Sequence, residues 1–157
     1  MVVWVCDIQL GKLARLLRMV GEDVCYTNRE NPVQILKWIK EEGRTLVTRS
    51  RGWIGKKLAE PQLVLSSEKL EEQLKEFLEK TGLEISFKKF FTRCLECGAL
   101  LQEVEKETIK DRVFPYTYQT QKKFYICPAC NKVYWAGTHK ERMEKKLEKI
   151  LNKAKPR

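Results

Sequence analysis

Apolar positions in the first half of the chain alternate between short continuous runs and helically spaced rows. The runs predict buried strands, and the rows predict amphipathic helices. Gly21 and Gly43 follow the first two helical rows as stop signals, and Asn31-Pro32 opens the second. Strands are thus predicted over 2–6, 24–26, 45–48 and 63–65, and helices over 10–20, 32–43 and 68–80. This order predicts an α/β fold, with a parallel sheet flanked by helices.

The pattern changes after about residue 85. Cysteine pairs, aromatic residues and alternating strand signals continue to Trp135 and predict a small β-rich unit. Residues 137–157 read as one basic helix, whose apolar stripe at Met143, Leu147 and Ile150 predicts that one face docks on another surface. The predicted domains are therefore residues 1–85, 86–136 and 137–157.

Two C-x-x-C pairs lie in the second unit and are separated by 29 residues. A C-x-x-C turn directs both thiolates at one tetrahedral ion, and four thiolates leave no open position for catalysis. The sequence therefore predicts a structural zinc ribbon, closed by a strand-like segment that turns at Pro115. Two redox motifs are the alternative. The predicted ligands are Cys94, Cys97, Cys127 and Cys130.

Three further residues bear on this site. His139, the only histidine, is interpreted as a surface or helix-start residue because four thiolates already suffice. Cys6 and Cys25 lie inside apolar strands and are interpreted as inert core thiols.

Charge narrows the classes of partner. The formal net charge is +10 with a pI of about 9.4, and residues 137–157 alone carry +5. So basic a protein most often binds a polyanion, usually nucleic acid, although a merely lysine-rich surface is the alternative. No apolar run approaches the roughly 20 residues that span a bilayer, and the apolar start lacks a basic leader. We therefore expect a cytoplasmic protein with reduced cysteines and no membrane partner.

Polar triplets follow two of the predicted strands. Asp7-Ile8-Gln9 and Thr48-Arg49-Ser50 come directly after apolar runs, and ligand sites of parallel sheets lie beyond the carboxyl ends of the strands. Asp7 is interpreted equally as a metal ligand or as a helix cap.

Basic side chains at the start of the next helix could bind phosphate or form a solvated face. Aromatic side chains could stack on unpaired bases or fill the ribbon core: Trp53, Phe114, Tyr116, Tyr118, Phe124 and Tyr125.

These residues, taken together, resemble the Mut7-C family, in which a PIN-like ribonuclease fold precedes a zinc ribbon. The matching stretches are in the family's order and span nearly the whole chain: Asp7, Leu10-Gly11-Lys12-Leu13-Ala14-Arg15, Leu17-Arg18-Met19, Gly21, Thr48-Arg49, Arg93-Cys94-Leu95-Glu96-Cys97, Cys127-Pro128-Ala129-Cys130, Val133-Tyr134-Trp135, Gly137 and His139.

The resemblance implies carboxylates at strand ends that hold Mg²⁺ or Mn²⁺ for phosphodiester hydrolysis. Asp7 matches the first acidic position and Asp23 matches the second more loosely. The third is an aspartate after Thr-Arg, where this chain has Ser50, and residues 44–59 contain no carboxylate. Glu22 or Glu30 could substitute, although neither is predicted at the carboxyl end of a strand.

Two functional hypotheses follow. The first is a Mg²⁺- or Mn²⁺-dependent endoribonuclease with a degenerate site, in which Asp7 and Asp23 are catalytic. The second is a non-catalytic RNA-binding or ribosome-associated module, which Ser50 favours. A third hypothesis, a zinc-ribbon adaptor between proteins, leaves the net charge of +10 unexplained. The predicted partner is RNA, either structured or ribosomal, and the predicted contacts are Lys12, Arg15, Arg18, Arg49, Arg51 and Lys56.

Overall fold

The computed structural model describes residues 2–135, 137 and 139–154. Four strands form one parallel sheet in the order β2-β1-β3-β4. Their bounds are Trp4–Cys6 for β1, Val24–Tyr26 for β2, Thr45–Thr48 for β3 and Gln62–Val64 for β4. The predicted α/β fold with a parallel sheet is confirmed, and each predicted strand is present: β2 and β3 have the predicted bounds, and the ends of β1 and β4 are shifted by two residues at most.

Helices cover both faces of this sheet. α1 (Gly11–Met19) and α3 (Leu70–Thr81) pack with one face, and α2 (Pro32–Glu42) packs with the other. The ends of α2 follow from its sequence: the Asn31 side chain accepts a hydrogen bond from the Gln34 amide at 3.2 Å, and Gly43 adopts the left-handed conformation at φ +66°. Because α1 begins directly beyond β1, its first turn lies at the carboxyl edge of the sheet.

The basic C-terminal helix belongs to the same core. α5 (His139–Ala154) places Leu147 and Ile150 in the apolar cluster that contains Leu13, Leu17 and Phe77. The predicted docking stripe is therefore confirmed, and the surface on which it docks is formed by α1 and α3. Residues 155–157 of the predicted helix and the side chain of His139 lie outside the described residues.

The second unit is a three-stranded antiparallel sheet in the order β5-β6-β7. The strands are Gln102–Val104, Phe124–Ile126 and Val133–Tyr134, with Phe124 fully buried. The segment between β5 and β6 was predicted to be strand-like with a turn at Pro115, which is wrong. It contains a 3₁₀ stretch (Lys106–Arg112) and the short helix α4 (Pro115–Thr120). Pro115 occupies the first turn of α4, where its fixed φ is favourable and its missing N–H costs nothing.

Candidate functional site

The four predicted cysteine ligands converge on one point. Their sulfur atoms all lie within 4.8 Å of one another. Cys94 Sγ is 3.5 Å from Cys130 Sγ, and Cys97 Sγ is 3.4 Å from Cys127 Sγ. A tetrahedral ion with Zn–S bonds of about 2.3 Å places its sulfur ligands about 3.8 Å apart. The cluster therefore fits a metal ion with four thiolate ligands, as a structural zinc site requires.

Both cysteine pairs are built in the same way. In each, the amide of the residue directly after the second cysteine donates to the carbonyl of the first cysteine: Gly98 N donates to Cys94 O, and Asn131 N donates to Cys127 O, both at 2.8 Å. Gly98 and Asn131 have positive φ angles of 82° and 65°, which glycine and asparagine tolerate best. The sequence therefore encodes two equivalent metal-binding turns.

Tyr134 supports the first of these turns. Its hydroxyl lies 3.1 Å from Cys94 Sγ and accepts a hydrogen bond from Leu95 N at 3.2 Å. Burial by itself raises the pKa of Cys94, but hydrogen bonds from Tyr134 and from the Cys97 and Glu96 amides outweigh it and lower the pKa to about 6. The thiolate that a metal needs is thus favoured here. The sequence places Tyr134 in a stretch that resembles the Mut7-C family, but it does not indicate this contact with Cys94.

The two remaining cysteines lie away from the cluster. Burial raises the pKa of the Cys6 thiol above its ordinary value, and burial raises that of Cys25 to about 11. Both thiols are thus held protonated in the α/β domain, in agreement with their interpretation as inert core residues.

Two arginines join the cysteine turn to the α/β domain. Arg18, predicted as an RNA contact, is only 4% exposed, and it donates from Nε to Val24 O at 2.9 Å and from Nη1 to Leu95 O at 3.0 Å. Arg93 donates to Gly21 O at 3.1 Å. Gly98 packs against the same joint, since an added Cβ would lie 2.9 Å from Val24 O. Arg18 therefore connects β2, α1 and the ribbon.

Asp7 lies at the carboxyl end of β1 and is 1% exposed. Its Oδ1 accepts from Gln9 N at 3.0 Å, and its Oδ2 accepts from Arg49 N at 3.3 Å and from the Thr48 hydroxyl. The Thr48 hydroxyl in turn accepts from Ser50 N at 2.9 Å. Asp7 thus caps the turn that precedes α1 and also joins the ends of β1 and β3, so the helix-cap interpretation describes its present contacts.

A groove of about 390 Å³ opens beside Asp7, and Ser50 lines it as predicted. Trp53, half-buried, and the exposed Lys56 lie in the same lining. Arg29 and Glu30 also line it, although the sequence did not place them there. Their signal was available, because the loop after β2 must reach the carboxyl edge that Asp7 occupies.

The two other predicted basic residues of this edge, Arg49 and Arg51, do not line the Asp7 groove. Arg49 lies 3.8 Å from Glu68, and its buried Nε has no hydrogen-bond partner among the described residues. Arg51 is exposed in the turn that follows β3.

Asp23, predicted to share a metal with Asp7, lies at the opposite edge of the sheet. It precedes β2, whose first residue pairs with the first residue of β1, whereas Asp7 follows β1. Its carboxylate is 2.9 Å from Arg44 and 3.9 Å from Arg93. Glu22 also lies at this amino edge and accepts from Trp4 Nε1 at 3.0 Å. The expectation that Asp7 and Asp23 form one site is therefore corrected, because a parallel sheet separates residues before a strand from residues after one.

Lys12 and Arg15 line a different groove from Asp7. This larger groove, of about 550 Å³, lies between α1, the start of α3 and α5, and Lys146 contributes from α5. Both side chains are exposed, and Arg15 also lies 3.7 Å from Glu96 of the ribbon. The structure therefore brings Lys12 and Arg15 together with the basic helix and not with the strand-end carboxylate.

The predicted aromatic residues separate into two groups. Phe124 is buried in the ribbon, with its ring centroid 6.2 Å from that of Trp135, and Lys106 Nζ lies 4.6 Å above the Tyr118 ring. Phe114 and Tyr116 are largely exposed. Tyr118 and Tyr125 are half-buried, as is Trp53 in the Asp7 groove, so Phe114 and Tyr116 are the most exposed rings of the predicted set.

A parallel α/β domain joined through Arg18 and Arg93 to a four-cysteine ribbon defines the class of this protein. The family model of the Mut7-C RNAse domain matches residues 3–147. The chain therefore belongs to the Mut7-C RNAse domain family, and the match extends over the sheet, the ribbon and part of α5. No curated protein and no solved structure matches the chain. Within the described residues, none of the helices has both the length and the apolar character to cross a bilayer.

Proposed function

We propose that this protein binds RNA along the carboxyl edge of its PIN-like sheet and that its ribonuclease site is degenerate. The observation that carries the proposal is the state of Asp7, a buried carboxylate that already accepts three hydrogen bonds and has Ser50 as its neighbour in the groove. Family membership supports a ribonuclease-like role, and the site chemistry limits how that role is carried out.

The groove fits a divalent cation poorly. A Mg²⁺ or Mn²⁺ ion, when bound, would activate a water and neutralise charge on the phosphate. Such hard cations need several oxygen ligands, and the carboxylates that line this groove within the described residues are the buried Asp7 and the exposed Glu30. A serine hydroxyl supplies no negative charge. We therefore expect this protein to cleave RNA weakly or not at all.

The groove suits a nucleic-acid strand better than it suits a metal. Arg29 and Lys56 provide positive charge beside Trp53, and the whole chain carries a formal net charge of +10. Cations bind the phosphates and release counterions, while an aromatic face binds an unpaired base by stacking. These features support single-stranded RNA as the partner.

The ribbon has a structural part in this proposal. We assign its metal as zinc, because four thiolates satisfy the tetrahedral coordination of zinc and leave no position open to substrate. Arg18 and Arg93 hydrogen-bond across the boundary between the cysteine turn and the α/β domain. The metal-bound turn therefore supports β2 and the loop that follows it.

Cleavage of a labelled single-stranded RNA in Mn²⁺ tests the degenerate site. We expect the unmodified protein to cleave no faster than Asp7→Asn, and Ser50→Asp to raise the rate, because it adds a hard oxygen ligand beside Asp7. Ser86→Asp adds the same charge on a turn outside the groove and serves as the control. Robust cleavage by the unmodified protein, abolished in Asp7→Asn and unaffected by Ser50→Asp, would refute the degenerate site.

RNA binding is tested separately by fluorescence anisotropy at several salt concentrations. Each phosphate contact contributes roughly 0.7 to the slope of log affinity against log salt for a single strand. Lys56→Met should therefore reduce the slope by about that amount, whereas Lys40→Met, an exposed change near the C-terminal end of α2, should not. Affinity that does not respond to salt would contradict RNA binding through this edge.

A further inference from the structure

A polar cleft of about 320 Å³ separates the carboxyl edge of the sheet from the first cysteine turn. Tyr26 and Asn28 line it from the end of β2, Arg15 and Arg18 from α1, and Glu96 from the turn between Cys94 and Cys97. The next residue after Asn28, Arg29, lines the Asp7 groove. One RNA strand that follows this edge could therefore enter the groove and the cleft with successive nucleotides.

The cleft presents fixed hydrogen-bond donors. Two nitrogens of Arg18 are held by the carbonyls of Val24 and Leu95 at 2.9 and 3.0 Å, and its Nη2 has no acceptor among the described residues. Arg15 lies on the preceding turn of α1 and is exposed, with its Nη1 3.7 Å from Glu96 Oε1. Because Arg18 is 4% exposed, its guanidinium is ordered before any ligand binds.

The cleft also presents a half-exposed acceptor, the carboxylate of Glu96. Glu96 Oε1 accepts from Lys132 Nζ at 3.1 Å, which orients the carboxylate, and no hydrogen bond within the described residues involves its Oε2. The opposite wall is rigid as well. The Tyr26 hydroxyl donates to Ile8 O at 3.1 Å, and its ring packs so close to Gly11 that an added Cβ would lie 2.7 Å from the hydroxyl oxygen.

A carboxylate beside two guanidinium groups selects among ligands. A bare phosphate offers only acceptors and would be repelled by Glu96. Among the RNA bases, guanine presents two neighbouring N–H donors, at N1 and N2, that match a carboxylate, together with the O6 acceptor that matches an arginine. Uracil has one such donor, and cytosine and adenine have one amino group each without an adjacent N–H.

We propose that this cleft binds a single unpaired guanine of the RNA, with Glu96 accepting from N1–H and the 2-amino group and with Arg15 or Arg18 donating to O6. The proposal rests on the proposed RNA binding and adds a base preference to it. Asn28 and Tyr26 complete the walls, and Lys132 acts only through Glu96.

The test uses the full-length, zinc-loaded protein and fluorescence anisotropy with uridine 12-mers that carry one central G, A, C or inosine. A good bidentate contact should make the G oligomer bind about tenfold more tightly than the all-uridine strand. Inosine lacks the 2-amino group and should lose part of that gain. Glu96→Gln should remove the preference, while Glu103→Gln, the same change at an exposed residue of the ribbon, should keep it.

Equal binding of all oligomers by the unmodified protein would overturn the guanine site and leave the proposed RNA binding intact. No binding of any oligomer would overturn both. A uniform gain in affinity for every oligomer in Glu96→Gln, with the G preference intact, would show that Glu96 only repels phosphate and would also overturn the site. Because Glu96 lies between Cys94 and Cys97 in the sequence, the zinc content of Glu96→Gln is measured as a control. The comparison of the G and inosine oligomers uses the unmodified protein, so it tests the guanine site without any variant.

Discussion

Replacement of Arg18 by methionine tests whether this residue supports the fold or only contacts RNA. Sequence spacing placed it with the basic residues of α1, whereas the structure places its guanidinium between the carbonyls of Val24 and Leu95. Methionine keeps most of the apolar stem and removes the donors. Arg15→Met is the matched control, because Arg15 lies one turn away on the same helix and is exposed.

The expected loss follows from two hydrogen bonds made by a charged donor. Such bonds contribute roughly 1.5–3 kcal/mol each, and a buried carbonyl left without a partner adds a desolvation cost. The methionine stem recovers part of the packing. We therefore expect Arg18→Met to lower the free energy of unfolding by about 3–5 kcal/mol, against about 0.5 kcal/mol or less for a surface change such as Arg15→Met.

Urea unfolding of the zinc-loaded proteins, followed by tryptophan fluorescence and by far-UV circular dichroism, measures both values. Coincident transitions from the two probes are needed before free energies are compared, because the ribbon could unfold separately. The structural role of Arg18 is refuted if Arg18→Met unfolds within about 1 kcal/mol of the unmodified protein. The same variant would then be expected to lower the salt slope of RNA binding by about 0.7.

Two other predictions concern the metal and pH. Elemental analysis should find about one zinc per chain. Removal of the metal by a chelator should loosen the ribbon before the α/β domain unfolds, because four thiols without a metal cannot hold the two turns together. A ribbon that stays folded without metal would contradict this prediction. Partial burial tends to raise the pKa of Glu76, but hydrogen bonds from Ser66 and Lys80 lower it overall. The stabilisation from Glu76 is therefore present at neutral pH and lost as the pH falls through the acidic range, so the difference in stability between Glu76→Gln and the unmodified protein should shrink there.

Local sequence signals predicted most of the fold because buried parallel strands and amphipathic helices have distinct periodicities. Gly43 ends α2 in the left-handed conformation that its sequence position indicated. The cysteine pairs were predictable for a similar reason, since metal geometry requires close spacing within each pair. The interior of the ribbon was harder to predict. Short helices such as α4 are determined by packing more than by propensity, so an aromatic-rich segment resembled strands.

Two site predictions were wrong. In each, the residue type was plausible, but the end of the strand or the burial of the side chain was misjudged. Asp23 was assigned to the Asp7 edge on its likeness to an acidic position, although a residue that precedes a parallel strand lies at the other edge. Arg18 was predicted as an RNA contact together with its exposed neighbours. Spacing along a helix cannot show which basic side chain a later segment of the chain will bury. Leu95, which accepts its hydrogen bond, follows it by 77 residues. Such a contact becomes visible only when the ribbon is placed against β2.

The contacts of Asp7 explain how a strand-end aspartate can remain in place without a divalent metal. A buried carboxylate is unfavourable unless it is hydrogen-bonded. Here the Gln9 and Arg49 amides and the Thr48 hydroxyl meet that requirement. The same donors fix the ends of β1 and β3, so removal of Asp7 would leave the buried Thr48 hydroxyl and two backbone amides without their acceptor even if the site never held an ion. On our proposal, Ser50 removes the second negative charge while this bonded arrangement preserves the shape of the edge. The edge can then bind an RNA strand through Arg29, Lys56 and Trp53 without the metal that cleavage would need.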